Sequence, residues 1–448
     1  MSEPLEKQRE FSPAYRNYAL GILFVGYIVN FVDRSILSLL LEPIKLELSL
    51  SDSQLGLLGG LAFAVFYTFL GIPIAALADR RSRVKILAVS MVIWSAMTAL
   101  CGLATNFWML LLARIGVGVG EAGASPPSHS LISDYFPIDK RATALSIYAL
   151  GIPFGTMIGS YVGGWGADEL GWRYTFFLVG IPGIFVAMII ALTLREPPRG
   201  LSDVKPAQSA AQKAATEAAP KPEAPQVKEV LNFLWAKVSF RHLSFAAGLH
   251  AFVSYGASTW NAPFFTRIHS MSSTDLGAAL ALVAGVGAIG TFAGGYLSDK
   301  LSDRTGDKRW YFWVPGIATI IMVPFQLVAY LYDGTTAAIA SLCMVAIMGN
   351  VYLGPSFAMT QALVSLRMRA VASAILLFVL NLIGMGLGPY FVGILSDLFA
   401  PTFGVESLRY ALCIAVLVNL WAGVHYMLGA RSMRGDLLET EAMNAKLV

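Results

Sequence analysis

Charge is scarce in this chain. Only 13% of its 448 residues are charged against 56% hydrophobic, and the mean hydropathy is +0.63, which excludes a soluble multidomain protein. Cysteine is nearly absent. Cys101, Cys343 and Cys413 stand far apart in apolar runs, and neither a redox nor a metal role is assigned to them. No His/Asp/Glu cluster has metal-ligand spacing, and no Gly-x4-Gly-Lys-Ser/Thr loop occurs, so no metal and no cofactor are expected. Before residue 17 there is no apolar core leading to a small-residue cleavage site, so no cleaved signal peptide is expected. The formal charge of +4 comes from short basic clusters between apolar runs, a pattern of membrane topology rather than of nucleic-acid binding.

What is abundant is long apolar sequence. About twelve spans meet the bilayer-length rule: 17–41, 54–78, 84–104, 107–131, 141–166, 172–194, 243–266, 275–299, 310–332, 336–361, 371–397 and 407–429. The fold class is therefore an all-α polytopic membrane protein, with a tail at 1–16, a six-helix half at 17–195, a linker at 196–242, a second six-helix half at 243–430 and a tail at 431–448. The linker is rich in Ala, Lys, Glu and Pro and cannot bury enough apolar area to fold; one interfacial helix is expected at Val230–Phe240. Lys and Arg gather in alternate loops, as at Arg80, Arg81, Arg83 and Lys85 or Lys300, Arg304, Lys308 and Arg309, while the opposite loops carry mainly acids, diluted by Lys45, Arg173, Arg267 and Arg409. Both termini and the linker are thus expected on the cytoplasmic side of the cytoplasmic membrane.

Against that background a few charges sit inside spans. Asp33 and Arg34 lie in the first, and Arg114 and Glu121, seven positions apart and so on one helix face, in the fourth. Intramembrane charges of both signs mark a polar path through lipid more often than a purely structural ion pair. Arg34 and Arg114 fall at about equal depth, with Glu121 about 10 Å deeper. Asp33 is expected to pair with Arg34 or Arg114, and Glu121 to sit beside a central cavity; these two acids are the candidates for proton coupling. Arg34 and Arg114, with Asn30 and Tyr27, are candidates for substrate binding. Tyr255, Trp260 and Asn261 join them as cavity wall, because Pro263 is expected to break the seventh span there. Neither His129 nor His250 is assigned as a proton carrier.

The halves repeat each other. Gly155, Gly159, Tyr161, Gly164 and Asp168 of the fifth span recur at one constant offset in the eleventh as Gly384, Gly388, Tyr390, Gly393 and Asp397, and Ala75-Leu77-Asp79-Arg80 is echoed by Gly295-Leu297-Asp299-Lys300. Such repeats suit halves that rock about a central site. Asp79-Arg80-Arg81-Ser82-Arg83 resembles the loop between helices two and three of the major facilitator superfamily, with Ala75 and Ser82 where that pattern has Gly. Three segments together resemble a bacterial member of its spinster-like branch: Asn30-Phe-Val-Asp33-Arg34, Arg114-Ile-Gly-Val-Gly118-Val-Gly120-Glu121, and Ser133-Asp134 through Lys140-Arg141 to Gly151-Ile-Pro153-Phe-Gly155.

The resemblance implies the major facilitator fold and a secondary transporter, not an enzyme, working by alternating access. Its partners would be a lipid or small-molecule substrate, protons and membrane lipids, with no nucleic acid, and a monomer is expected. Animal members are linked to sphingosine-1-phosphate and lysophospholipids, implying an amphiphilic anion; a proton-coupled permease for a small anionic metabolite uses the same arginines. Asp79, Arg80, Arg83 and Arg141 are assigned to a cytoplasmic gate. Gly155-x3-Gly159-Ser160-x2-Gly163-Gly164 resembles an antiporter motif of the superfamily with Ser160 in place of Pro; small residues at this spacing let two helices approach closely, and that packing is the role assigned to them. A non-transporting receptor would want a signalling domain, which the chain as given does not display.

Overall fold

The computed structural model describes residues 11–202 and 226–445; the parts of the two tails and the linker at 1–10, 203–225 and 446–448 lie outside the described residues. Among the described residues all regular structure is helical. Ten stretches are long and apolar enough to cross a membrane. The last, Arg369–Met443, is two crossings joined by the short turn Gly404–Glu406, and Val238–His269 adds another, giving twelve.

Helix ends follow local chemistry. Ser12 accepts the Tyr15 N–H in front of Pro13, and the first span, Pro13–Leu48, stops where Ser49 turns to φ 53°. Its 36 residues are about 54 Å of helix, well beyond the hydrocarbon core. Ser51 and Gln54 form a reciprocal capping box at the start of the second span, Asp52–Ala78.

Several spans are interrupted within their length: the second at Gly60, the fourth (Phe107–Tyr135) after Glu121, the fifth (Ile138–Glu169) at Leu150, and the tenth (Thr335–Ala362) after Gly349. The eleventh widens into a π-helix at Leu380–Leu387. Irregular backbone inside a membrane span persists only where protein or a water-lined cavity surrounds it. The seventh span, by contrast, runs unbroken through Pro263, which corrects the expected break. Proline removes one N–H, whereas unwinding a turn in lipid strands several more polar groups.

The cores show how the two sets of six helices meet. One apolar cluster joins them at the end away from the termini, packing Ile36, Leu40 and Leu55 against Trp260, Phe264 and Val392. Toward the termini the clusters separate. One belongs to the first six helices apart from Met385, and another to the last six together with Val230 and Leu234 of the linker. The short linker helix forms at Val227–Ala236, a few residues before the expected position, because Val238 already begins the seventh span. Val230 and Leu234 are buried against the last six helices, and Val227, Leu231 and Trp235 are exposed.

Candidate functional site

Arg34 lies where side chains of the first, second and fourth spans meet. Its Nε donates to Glu121 Oε2 at 2.5 Å, and its guanidinium sits 5.0 Å from the Phe31 ring centroid, 5.0 Å from Phe63 and 4.8 Å from Tyr67. Phe63 and Tyr67 stack one turn apart on the second span, at 5.3 Å, so one helix supplies two walls of an aromatic box. Weakly hydrated guanidinium tolerates such a box far better than an ammonium would. The Arg34 side chain stays 21% exposed while that of Glu121 is fully buried. Glu121 Oε1 has no hydrogen-bond partner, so the acid holds the arginine by one oxygen only.

This pairing corrects the expected one. Asp33 does not pair with Arg34 or Arg114; it is fully buried, and neither carboxylate oxygen has a hydrogen-bond partner. The reason is side-chain direction. Residues 33 and 34 point about 100° apart around the helix, and side chains lean toward their own helix N-terminus. Arg34 therefore leans toward the end of the termini, and Glu121, on an antiparallel helix, leans the other way. The 10 Å of depth between their backbones closes to a hydrogen bond. Arg114 is buried, 5.5 Å from the Phe63 centroid, with its Nε unbonded; Glu121, Thr98 and Arg114 all lie within electrostatic reach of Asp33.

Tyr27 stacks on Tyr148 at 4.2 Å and meets Phe31 edge-on at 5.1 Å, while Asn30 is buried close to Glu121. From the last six helices Tyr255, 37% exposed, comes within electrostatic reach of Arg34 and Tyr67, and Tyr352 within reach of Tyr255. Trp260 and Asn261 do not line this space. Trp260 Nε1 donates to the Pro389 carbonyl at 2.8 Å, and Asn261 Oδ1 accepts from Tyr330 at 2.8 Å; both are buried. With the helix unbroken, its 3.6-residue period turns residues 260 and 261 away from the face that carries 255.

The gate residues divide as well. Arg83 is buried and bonds Asp134 and Ser130 of the first half and Glu196 and the Pro197 carbonyl at the start of the linker, so it ties the linker's first residues to that half instead of bridging the mouth. Burial alone would raise the Glu196 carboxyl, but hydrogen bonds from the Val84 N–H, Arg83 and Ser82 hold it below its usual range. Asp79 and Arg80 are exposed, and Arg141 is half-buried in the first turn of Ile138–Ala149.

The sequence reading missed Phe63 and Tyr67, whose four-residue spacing is visible but ordinary in an apolar span, and Thr98 beside Asp33. It also missed a buried network at the end away from the termini. Arg267 bonds Glu42 at 2.7 Å and Asp52 through both terminal nitrogens at 2.7 and 2.8 Å, and Asp52 also takes Lys45 and Ser396 at 2.6 Å each. The hydrogen bonds and ion pairs joining the two halves gather here, so the molecule is shut at this end.

The profile of the Major Facilitator Superfamily matches residues 23–389. The chain belongs to this superfamily. Within it the resemblance is to the spinster type. A solved bacterial homologue of the human lysosomal transporter spinster, in an inward-facing and unoccupied conformation, superposes with a TM-score of 0.86 at 36% identity, covering 95% of this chain and 99% of that one. A protein named MFS-type efflux pump from Mycolicibacterium smegmatis is 31% identical over 94% of each chain. A sphingosine-1-phosphate transporter of Danio rerio is 26% identical over 91% of this chain and 83% of its own, and a hexuronate transporter of Bacillus subtilis is 25% identical over 94% and 96%. The protein is an integral membrane transporter of the spinster type in this superfamily.

Proposed function

We propose that this transporter moves an amphiphilic organic anion, of the lysophospholipid or sphingosine-1-phosphate kind, by proton-coupled alternating access. The observation that carries the reading is the single-oxygen bond between buried Glu121 and partly exposed Arg34. A proton on Glu121 removes its charge and frees the guanidinium for a phosphate or carboxylate; an anion arriving at Arg34 displaces Glu121 and leaves it to be protonated. Proton and substrate thereby exchange occupancy of one cation. Asp33, a buried carboxylate without partners, is a costly place for a fixed charge and suits a group that titrates during the cycle. Arg114 keeps the region electropositive, and Tyr27, Asn30, Tyr67 and Tyr255 supply hydroxyl, amide and ring contacts to the head group. Asp79, Arg80 and Arg141 act when the end of the termini closes. That end is cytoplasmic, on the distribution of Lys and Arg, and the chain works as a monomer in the cytoplasmic membrane.

The rings around Arg34 favour an amphiphile over a compact sugar acid, because an aromatic box gives apolar contact to the first carbons beyond a head group. The hexuronate transporter among the relatives supports the second reading, a proton-coupled permease for a small anion. Purified protein in proteoliposomes, given labelled lysophosphatidate, sphingosine-1-phosphate or hexuronate with and without a proton gradient, separates the two. Gradient-dependent uptake of either lipid supports the first reading; uptake of hexuronate alone replaces it with the second.

A further inference from the structure

The repeat in the fifth and eleventh spans ends in an aspartate each time, and the two aspartates do the same thing in opposite directions. Asp168 accepts the backbone N–H of Ser273 at 3.2 Å and of Thr274 at 2.7 Å, with the Thr274 hydroxyl at 2.8 Å; these open the eighth span, Ser273–Thr305. Asp397 accepts the N–H of Asp52 at 2.9 Å and of Ser53 at 2.7 Å, which open the second span. Each half caps a helix of the other. Glycine lets the backbones approach: a Cβ on Gly164 would stand 2.1 Å from the Ser273 carbonyl oxygen, and one on Gly393 2.3 Å from that of Asp52.

Each capped helix also keeps a cap of its own. Ser272 Oγ accepts the Asp275 N–H at 3.1 Å and Ser51 Oγ the Gln54 N–H at 3.2 Å. The aspartates thus satisfy only the first N–H groups, where the positive end of the helix dipole lies. When the halves part, those groups pass to water while the serine caps hold the helix start intact. Such a contact is strong enough to bias a conformation and cheap enough to break in every cycle.

We propose that Asp168 and Asp397 are paired positioning residues for transport, latches that hold this end shut through the helix N-termini of the opposite half and must let go before it can open. The two are unequal. Asp397 docks beside buried Asp52, which Arg267, Lys45 and Ser396 reinforce, whereas Asp168 is exposed and, among the described residues, has no cation bonded to it. The eleventh–second latch is the stronger, and the fifth–eighth latch opens first.

The test is the distance across this end in the full-length transporter in nanodiscs. Spin labels go on Leu46 and Val405, 73% and 63% exposed, after the three native cysteines are replaced. Loss of one helix cap by Asp→Ala shifts an equilibrium about fivefold. Asp397→Ala is expected to raise the long-distance population by about fivefold or more, Asp168→Ala by less, and the double variant by more than about tenfold. The Asp→Asn pair keeps one acceptor oxygen at each site and shifts the distribution the same way by a smaller amount; it serves if the double Ala variant does not fold. A merely structural role lowers the melting temperature and leaves the distances as in wild type. That outcome, in the single Ala variants and the Asn pair, overturns the proposal.

Discussion

The closed end and the middle of the molecule use the internal repeat in opposite ways. At the closed end the repeat is kept, with Asp168 and Asp397 capping helices across the interface in mirrored roles. Inside the spans it is abandoned. The fourth and tenth spans are interrupted at corresponding places, after Glu121 and after Gly349, yet at the first break a carboxylate holds Arg34, and at the second the His250 ring Nε2 meets the Gly349 carbonyl at 2.8 Å. Symmetric motion needs matching contacts at both seams, whereas recognising a molecule with one charged end needs a site that is charged on one side only. The two demands fall on different depths of the same helices.

The comparison breaks most visibly at its charged side. Glu121→Gln is expected to abolish gradient-driven uptake, a loss of at least about 100-fold, with folding retained; removing one partner of a buried pair costs about 3–5 kcal/mol, here concentrated on a partly accessible arginine. Uptake with and without a pH gradient, beside size-exclusion of the purified variant, checks both halves of that statement. Asp33→Asn should likewise remove the gradient dependence while keeping the fold; if it fails to insert, Asp33 is structural. Tyr67→Leu takes one ring off Arg34 and should raise the apparent KM about three- to tenfold, the worth of about 1 kcal/mol of cation–π contact, with little change in maximal rate. Trp260→Phe, on the neutral side, should lower the melting temperature through the lost bond to Pro389, about 1 kcal/mol, and leave substrate preference as it was. The smallest effect is one of pH. Because Glu196 is held below its usual range, its contribution to first-half stability is complete above about pH 4.3 and declines as pH falls below that. Arg83→Met should flatten this acid limb of a pH-dependent melting series.

The sequence carries the spans and the repeat because each is a matter of composition or spacing. The charged residues of the site were legible for the same reason: Asp33, Arg34, Arg114 and Glu121 are conspicuous in lipid. Their pairing was not, since depth counted along the backbone ignores the opposite lean of side chains on antiparallel helices. Lys45 and Arg267 weaken the charge asymmetry between loops, and the structure gives the cause, since both are spent on Asp52. The break at 122–124 holds Gly123 and is followed by Pro126-Pro127, and the one at 350–352 lies between Gly349 and Gly354-Pro355, but Pro73, Pro182, Pro263, Pro315 and Pro324 all sit inside unbroken helices, so such residues do not by themselves mark a break. In each case packing between helices decides the local backbone, and one span read by itself does not contain its neighbours.

In the proposed cycle Glu121 and the substrate anion compete for Arg34. Equilibrium binding of radiolabelled lysophosphatidate to wild-type protein and to Glu121→Gln in detergent, by scintillation proximity at fixed pH, tests it most directly. The variant, which no longer transports, is expected to bind as tightly as wild type or tighter, and Arg34→Ala to abolish binding in both backgrounds. Weaker binding by a folded Glu121→Gln, or binding indifferent to Arg34, would contradict it.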